Sequence, residues 1–196
     1  LILRGTAALP EWIRDSLFEQ TRWTLRHGRT RRFLKVHHGF ARLYSSIQPR
    51  PEELDIPHRL FRRSRLIIAG HSLGGALAQL CALQLHHLHP LLYTFATPRV
   101  GDAQYARVLE QLVPQTYRVE HSPDPFIQMP GKETRFIDGR RFQYEHGGHR
   151  VPLHTEAADA FVGMLRSGDL IHAHQLKTYG TLLARMQQSK PRRGGA

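Results

Sequence analysis

The chain has 196 residues, a formal net charge of +12 and a hydrophobic fraction of 40%. That length suits one domain with a sizeable core rather than two, and the apolar fraction is ordinary for a globular protein. No apolar run approaches the roughly 20 residues that span a bilayer. The opening Leu1-Ile2-Leu3-Arg4 lacks both an initiator methionine and the charged-then-apolar order of a secretory signal. The expectation is therefore a soluble chain of undetermined compartment, with residues upstream of Leu1 missing from the numbering.

The chain begins in an apolar strand, Leu1-Ile2-Leu3, that leads into a loop at Arg4-Gly5-Thr6. From Ala7 to Arg32, apolar residues are scattered among charges, and Ile13 and Leu17 are spaced to share a helix face. Phe33 to Val36 reads as a short strand and His37-His38-Gly39 as a turn. Phe40, Leu43, Tyr44 and Ile47 then give the spacing of an amphipathic helix that ends before Pro49, and 49–57 reads as a polar linker.

Leu66 to Ala69 is an apolar strand that meets a turn at Gly70-His71-Ser72-Leu73-Gly74. Leu77, Leu80, Cys81 and Leu85 continue at helix period. Leu91 to Ala96 is the next strand, and Tyr105 to Leu112 a helix with Asp102 as its N-cap. Thr116 to Glu120 alternates like a strand and runs into Ser122-Pro123-Asp124-Pro125. Arg135 to Tyr144 reads as a hairpin turning at Asp138-Gly139. Helices follow over Ala157 to Leu165 and Leu176 to Met186. Strands alternating with helices predict an α/β fold with a mostly parallel sheet. Residues 1–186 form one domain, and 187–196 are a basic tail expected to be disordered.

The Gly-X-Ser-X-Gly run at Gly70 to Gly74, between a strand and a helix, is the pattern that holds a serine in a strained, exposed turn. It offers the Leu73 amide to a developing oxyanion. A serine hydroxyl needs an imidazole base oriented by a carboxylate, found in this kind of sheet in the order serine, acid, histidine. Asp124, fixed between two prolines beyond a strand end, is the acid; Asp138 is explained by its hairpin and Asp102 by its helix cap. Of fourteen histidines, His174 lies just before the last helix, with His172, His154, His149 and His146 as rivals. His86, His87 and His89 sit at a helix end and need no other role. Neither His172-Ala173-His174 nor Glu145-His146-Gly147-Gly148-His149 has the helix-spaced ligand pattern of a metalloprotease, so no metal is expected. Cys81 is the single cysteine, which rules out an internal disulfide, and its place on an apolar helix stripe makes it a small buried hydrophobe.

Several separated segments together resemble the class 3 (fungal-type) lipases of the α/β-hydrolase fold. They are Leu3-Arg4-Gly5-Thr6, Glu11 to Asp15, Val36-His37-His38-Gly39-Phe40, Gly70 to Ala78, Phe95 to Asp102, Arg118 to Pro125, and His174 followed by Tyr179. The last pair resembles the family's terminal His-X4-Tyr signature and favours His174 over His172. The resemblance implies a carboxylic-ester hydrolase acting on fatty-acyl esters such as triacylglycerols. Ser72 would be the nucleophile, Asp124 the orienting acid and His174 the base. Thr6 and the Leu73 amide would form the oxyanion hole, and no cofactor is implied. A phospholipase or other carboxylesterase on the same machinery, or an inactive basic binding module, are the alternatives.

The family's preceding helix and strands are absent, so the N-terminal part of the fold is expected to be missing. Ala96 stands where the family usually has glycine, a small change expected to fit. Residues 8–18 occupy the family's lid position, and their apolar face could cover the site or turn to lipid. The excess positive charge, clustered at Arg26 to Lys35, Arg59 to Arg65 and in the tail, favours anionic surfaces such as a membrane or lipid droplet. Arg14, Arg22 and Arg26 lie near the lid position. No nucleic-acid-binding motif organises this charge, so nucleic acid is not an expected partner.

Overall fold

The computed structural model describes residues 1–3, 18–47, 65–136, 138–154 and 173–188. Strand β1 (Ile2–Leu3) is followed by β2 (Gln20–His27), β3 (Thr30–His37) and helix α1 (His38–Ile47). Then come β4 (Ile67–His71), α2 (Leu73–Gln84), β5 (Leu91–Phe95), α3 (Ala103–Leu112) and β6 (Thr116–His121). The chain continues through β7 (Glu133–Arg135), β8 (Arg141–Gln143) and β9 (His149–Leu153) to α4 (Leu176–Gln188). Short 3₁₀ turns lie at His86–Leu88 and Pro125–Gln128.

A five-stranded sheet in the order β1-β4-β5-β6-β9 organises the molecule, and all four neighbouring pairs are parallel. Parallel strands need long crossovers, which α2 and α3 supply between β4, β5 and β6. Alternation along the strands sends Ile68 and Leu92 into one core, and Val119 and Leu153 into another. The first core is closed by α1, α2, α3 and the β2–β3 hairpin, and the second by Tyr179 and Leu182 of α4. Every residue of α2 from Leu73 to Leu83 is buried. A helix apolar all round belongs at the centre of a fold, and α2 lies there. Cys81 is buried on α2 beside Tyr44, and burial pushes its thiol up to about 11.

Two elements differ from the sequence expectation. Trp23 and Leu25 lie on β2, paired antiparallel with β3, so that Trp23, Leu25, Leu34 and Val36 all point into the first core. The sequence pattern marks only the β3 half of that hairpin. The two-residue loop Gly28-Arg29 has a positive φ at Gly28 alone, the pattern of a type II′ turn. The second difference is β9, a strand that the sequence pattern does not mark. It contains Pro152 and pairs only with β6, and an edge strand tolerates a residue that cannot donate.

The turn expected at His37-His38-Gly39 is instead the last residue of β3 and the start of α1, because strand passes to helix there with no intervening loop. The other expectations on described residues hold closely. Asp102 caps α3 by accepting from the Tyr105 amide at 2.9 Å. Asp138 accepts from the Arg140 amide at 3.1 Å, inside the β7–β8 hairpin. The final helix runs two residues past Met186, to Gln188. The helix expected at 157–165 lies outside the described residues, as do the linker at 49–57 and most of the tail.

Candidate active site

Strand β4 ends at His71, and Ser72 follows with φ 57° and ψ −127° before α2 begins. That backbone region is costly for any residue with a side chain and persists only where the surroundings enforce it. Three contacts enforce it here. The Ser72 amide donates to the Phe95 carbonyl at 2.8 Å, and the Ser72 carbonyl accepts from the amides of Gly75 and Ala76. Gly70 is needed because a Cβ there would come within 2.1 Å of the Gly74 carbonyl oxygen. Gly75, outside the five-residue pattern, is as tightly confined: its Cβ would lie 1.9 Å from Thr97 Oγ1.

Serine at a helix N-cap ordinarily turns its hydroxyl back onto the first amides. Ser72 makes no such side-chain bond. Its Oγ lies 2.8 Å from His174 Nε2 instead. The Leu73 amide opens the helix, among the first N–H groups that have no intrahelical acceptor.

His174 Nδ1 sits 2.9 Å and 3.1 Å from the two carboxylate oxygens of Asp124. An ionised carboxylate only accepts, so the Nδ1 proton faces Asp124 and the Nε2 lone pair faces Ser72. Asp124 has no solvent exposure, and its charge is met by further donors. The Phe126 amide donates to Oδ1 and the Tyr179 hydroxyl to Oδ2, each at 2.9 Å. Tyr179 in turn accepts from the His121 amide at 3.1 Å. Burial, followed by the neighbouring Asp124 charge, drives the Tyr179 phenol well above its ordinary range. The hydroxyl therefore stays protonated and keeps donating.

His71 adds a second imidazole. Its Nε2 lies 2.7 Å from the backbone carbonyl of His174, and because a carbonyl only accepts, Nε2 carries the proton. Its ring centroid is 5.1 Å from that of His174. Burial is the largest influence on His71 and lowers its affinity for a second proton; the bond to His174 partly opposes this. The Phe126 ring packs on the His174 imidazole at 4.3 Å between centroids. Sequence spacing does not reveal the roles of His71, Phe126 and Tyr179, although the His-X4-Tyr signature marks the tyrosine.

The structure thus brings Ser72, Asp124 and His174 together and places Leu73 beside them. Thr6 lies outside the described residues, as do positions 8–17 of the lid segment and His172. Phe18 is held at its carbonyl by the Tyr144 hydroxyl at 3.0 Å. Of the rival histidines, His149 and His154 are exposed. His146 donates from Nε2 to the Ile127 carbonyl at 2.8 Å. Burial, reinforced by the Arg118 charge, lowers His146 to about 3. Among the described residues, no group of three or more His, Cys, Asp or Glu side chains is arranged to hold a metal ion.

Ala96, where a glycine is usual in the lipases the sequence resembles, carries a physical cost. It follows the last residue of β5 with φ 53° and is fully buried in the second core. Its methyl fits, but a left-handed residue with a Cβ costs about 1 kcal/mol relative to glycine.

The site is therefore a strand-to-helix serine turn with an imidazole at its apex and a buried carboxylate behind it. The model of the lipase (class 3) family matches residues 1–134. The chain belongs to the class 3 lipase family. Among its relatives, a lipase of Caenorhabditis elegans is 42% identical over 77 residues, covering 36% of this chain and 22% of the relative. Phospholipase A1 EG1 of Oryza sativa subsp. indica is 30% identical over 217 residues, covering 96% of this chain and 48% of the relative. This chain therefore spans less than half the length of either relative. A solved triacylglycerol lipase, whose catalytic centre is a serine protease triad, superposes with a TM-score of 0.63 at 25% identity. That match covers 79% of this chain and 57% of that one. The sheet and its flanking helices are those of the α/β-hydrolase fold. No described helix is long and apolar enough to cross a membrane.

Proposed function

We propose that this chain is a serine hydrolase that cleaves fatty-acyl esters, with triacylglycerols as its leading substrates, through an acyl-enzyme intermediate on Ser72. The observation that carries the proposal is the continuous hydrogen-bonded line from Ser72 Oγ through His174 to the buried Asp124. A contact of 2.8 Å is within the reach a general base needs.

In this mechanism His174 Nε2 takes the Ser72 proton as Oγ attacks the ester carbonyl carbon. Asp124 stabilises the imidazolium that forms, without itself being protonated. The Leu73 amide donates to the oxyanion, with the Thr6 hydroxyl as the second donor that the family resemblance supplies. Collapse breaks the ester C–O bond, and His174 returns the proton to the departing alcohol. Water then attacks the acyl-serine as His174 takes its proton; the acyl C–Oγ bond breaks, His174 returns the proton to Ser72 Oγ, and the free acid leaves.

A phospholipid is the second reading, favoured by the phospholipase A1 that aligns with 96% of this chain. Hydrolysis of p-nitrophenyl esters, triglyceride emulsions and phospholipid vesicles by wild type and Ser72→Ala tests both. Loss of turnover on the order of 10⁶ in the variant is expected. Turnover of the whole panel that survives Ser72→Ala would defeat the proposal. An unequal profile across the panel decides between the two lipids.

A further inference from the structure

The β2–β3 hairpin has an outer face that the site does not use. Directly opposed residues of an antiparallel pair project to the same side. Arg22 faces Lys35, Thr24 faces Phe33 and Arg26 faces Arg31. The inner set of Trp23, Leu25, Leu34 and Val36 is buried in the first core. Arg22, Arg26, Arg31 and Lys35 are all exposed. None of the four has an acidic partner at salt-bridge distance among the described residues. Phe33 stands in their midst, 49% exposed, with the Arg22 guanidinium 4.3 Å above its ring.

This arrangement works against the stability of the free protein. Like charges directly opposite on neighbouring strands destabilise a sheet, and the hairpin carries two such pairs. Arg22 stacks favourably on the Phe33 ring, but the ring is still left 49% exposed to water at the centre of that field. Both penalties are relieved by one kind of partner: a surface with anionic groups at its face and hydrocarbon beneath. Polyanions without an apolar layer would satisfy the cations and leave Phe33 wet.

We propose that the outer face of the β2–β3 hairpin docks the chain on anionic lipid surfaces, with Arg22, Arg26, Arg31 and Lys35 on the headgroups and Phe33 inserted between them. The proposal rests on the lipid-ester reading and extends it by naming the surface from which substrate is taken. Each basic residue near such a surface strengthens binding about five-fold. Reversing two of them should therefore weaken it on the order of a hundredfold or more.

The test is co-sedimentation of the whole chain with phosphatidylcholine vesicles, with and without phosphatidylglycerol, at low and high salt, alongside a polyuridylate titration. Wild type should bind only the anionic vesicles and release as salt rises. Arg31→Glu with Lys35→Glu should lose that binding while melting no lower than wild type, because both cross-strand pairs become opposite in sign. Phe33→Ser should weaken binding about tenfold and leave its salt dependence intact. Turnover of a soluble short-chain ester should be unchanged in both variants. Hairpin-dependent vesicle binding without any esterase activity would sustain the docking face and remove the enzymatic reading. Vesicle binding that survives the double reversal would overturn the docking face. So would a loss confined to polyuridylate binding, which would assign the surface to nucleic acid.

Discussion

Gly70→Ala is expected to damage both fold and site, and the size of the effect follows from one contact. The added Cβ would lie 2.1 Å from the Gly74 carbonyl oxygen and 2.7 Å from the Gly75 amide nitrogen. Both are backbone atoms, so no rotamer change relieves the clash; β4 and α2 must separate. Overpacking of a rigid core costs about 1–3 kcal/mol, and a backbone clash of this depth belongs at about 3 kcal/mol or above. For a domain of this size that lowers Tm by about 6–12 °C. The displaced atoms flank Ser72, and misplacing a reacting group by about 1 Å costs about 10²-fold in rate.

Gly180→Ala supplies the control. Gly180 is exposed within α4 and a Cβ there meets nothing within 4 Å. The same substitution should stabilise by about 0.5–1 kcal/mol. Thermal melts and p-nitrophenyl ester turnover on both variants measure the contrast. Gly70→Ala with wild-type stability and turnover would refute the packing argument for the serine turn.

Three further outcomes follow, two from the described geometry and the one on Thr6 from the family resemblance. Tyr179→Phe removes a hydrogen bond to the Asp124 carboxylate and leaves the buried His121 amide without its acceptor. Stability should fall by about 2–4 kcal/mol and kcat about tenfold with little change in KM; an unchanged urea midpoint would contradict this. Thr6→Val should lower kcat roughly 10² to 10³-fold if its hydroxyl donates to the oxyanion, and undiminished kcat removes that role. His37 is lowered to about 4 by burial, with a smaller contribution from His38, and His146 to about 3. Both stay neutral in the folded state, whereas their unfolded forms take up protons below about pH 6.5. Stability is therefore full above that pH and falls as pH drops from about 6.5 towards 4, by a few kcal/mol in sum. Urea midpoints that stay level across this range would contradict the burial of both rings, and His146→Gln should flatten the decline.

The serine turn and the acid loop are legible in the sequence because each is a local device. Gly70 and Gly74 bracket Ser72 within five residues, and Pro123 and Pro125 bracket Asp124 within three. The parallel sheet is legible for a similar reason, since Leu66 to Ala69 and Leu91 to Ala96 are short apolar runs separated by helical spacing. His174 needs the family resemblance, because fourteen histidines give spacing little power to choose. What stays hidden is non-local. Tyr179 reaches Asp124 across 55 positions, and His71 reaches the His174 carbonyl across 103. Strand β2 is obscured because only Trp23 and Leu25 mark its inner face amid threonines and arginines; its period-two signal becomes clear only opposite Leu34 and Val36. Gly75 carries no local signal because its constraint is Thr97, beyond the end of another strand.

The central claim is that His174, held by Asp124, activates Ser72 for attack on an ester. Labelling with a fluorophosphonate probe, followed by mass-spectrometric assignment of the modified residue, tests it most directly. Wild type should carry the label on Ser72, and the labelling rate should fall by several orders of magnitude in His174→Ala. Label on another residue, or an equal rate on Ser72 in both proteins, would contradict the account.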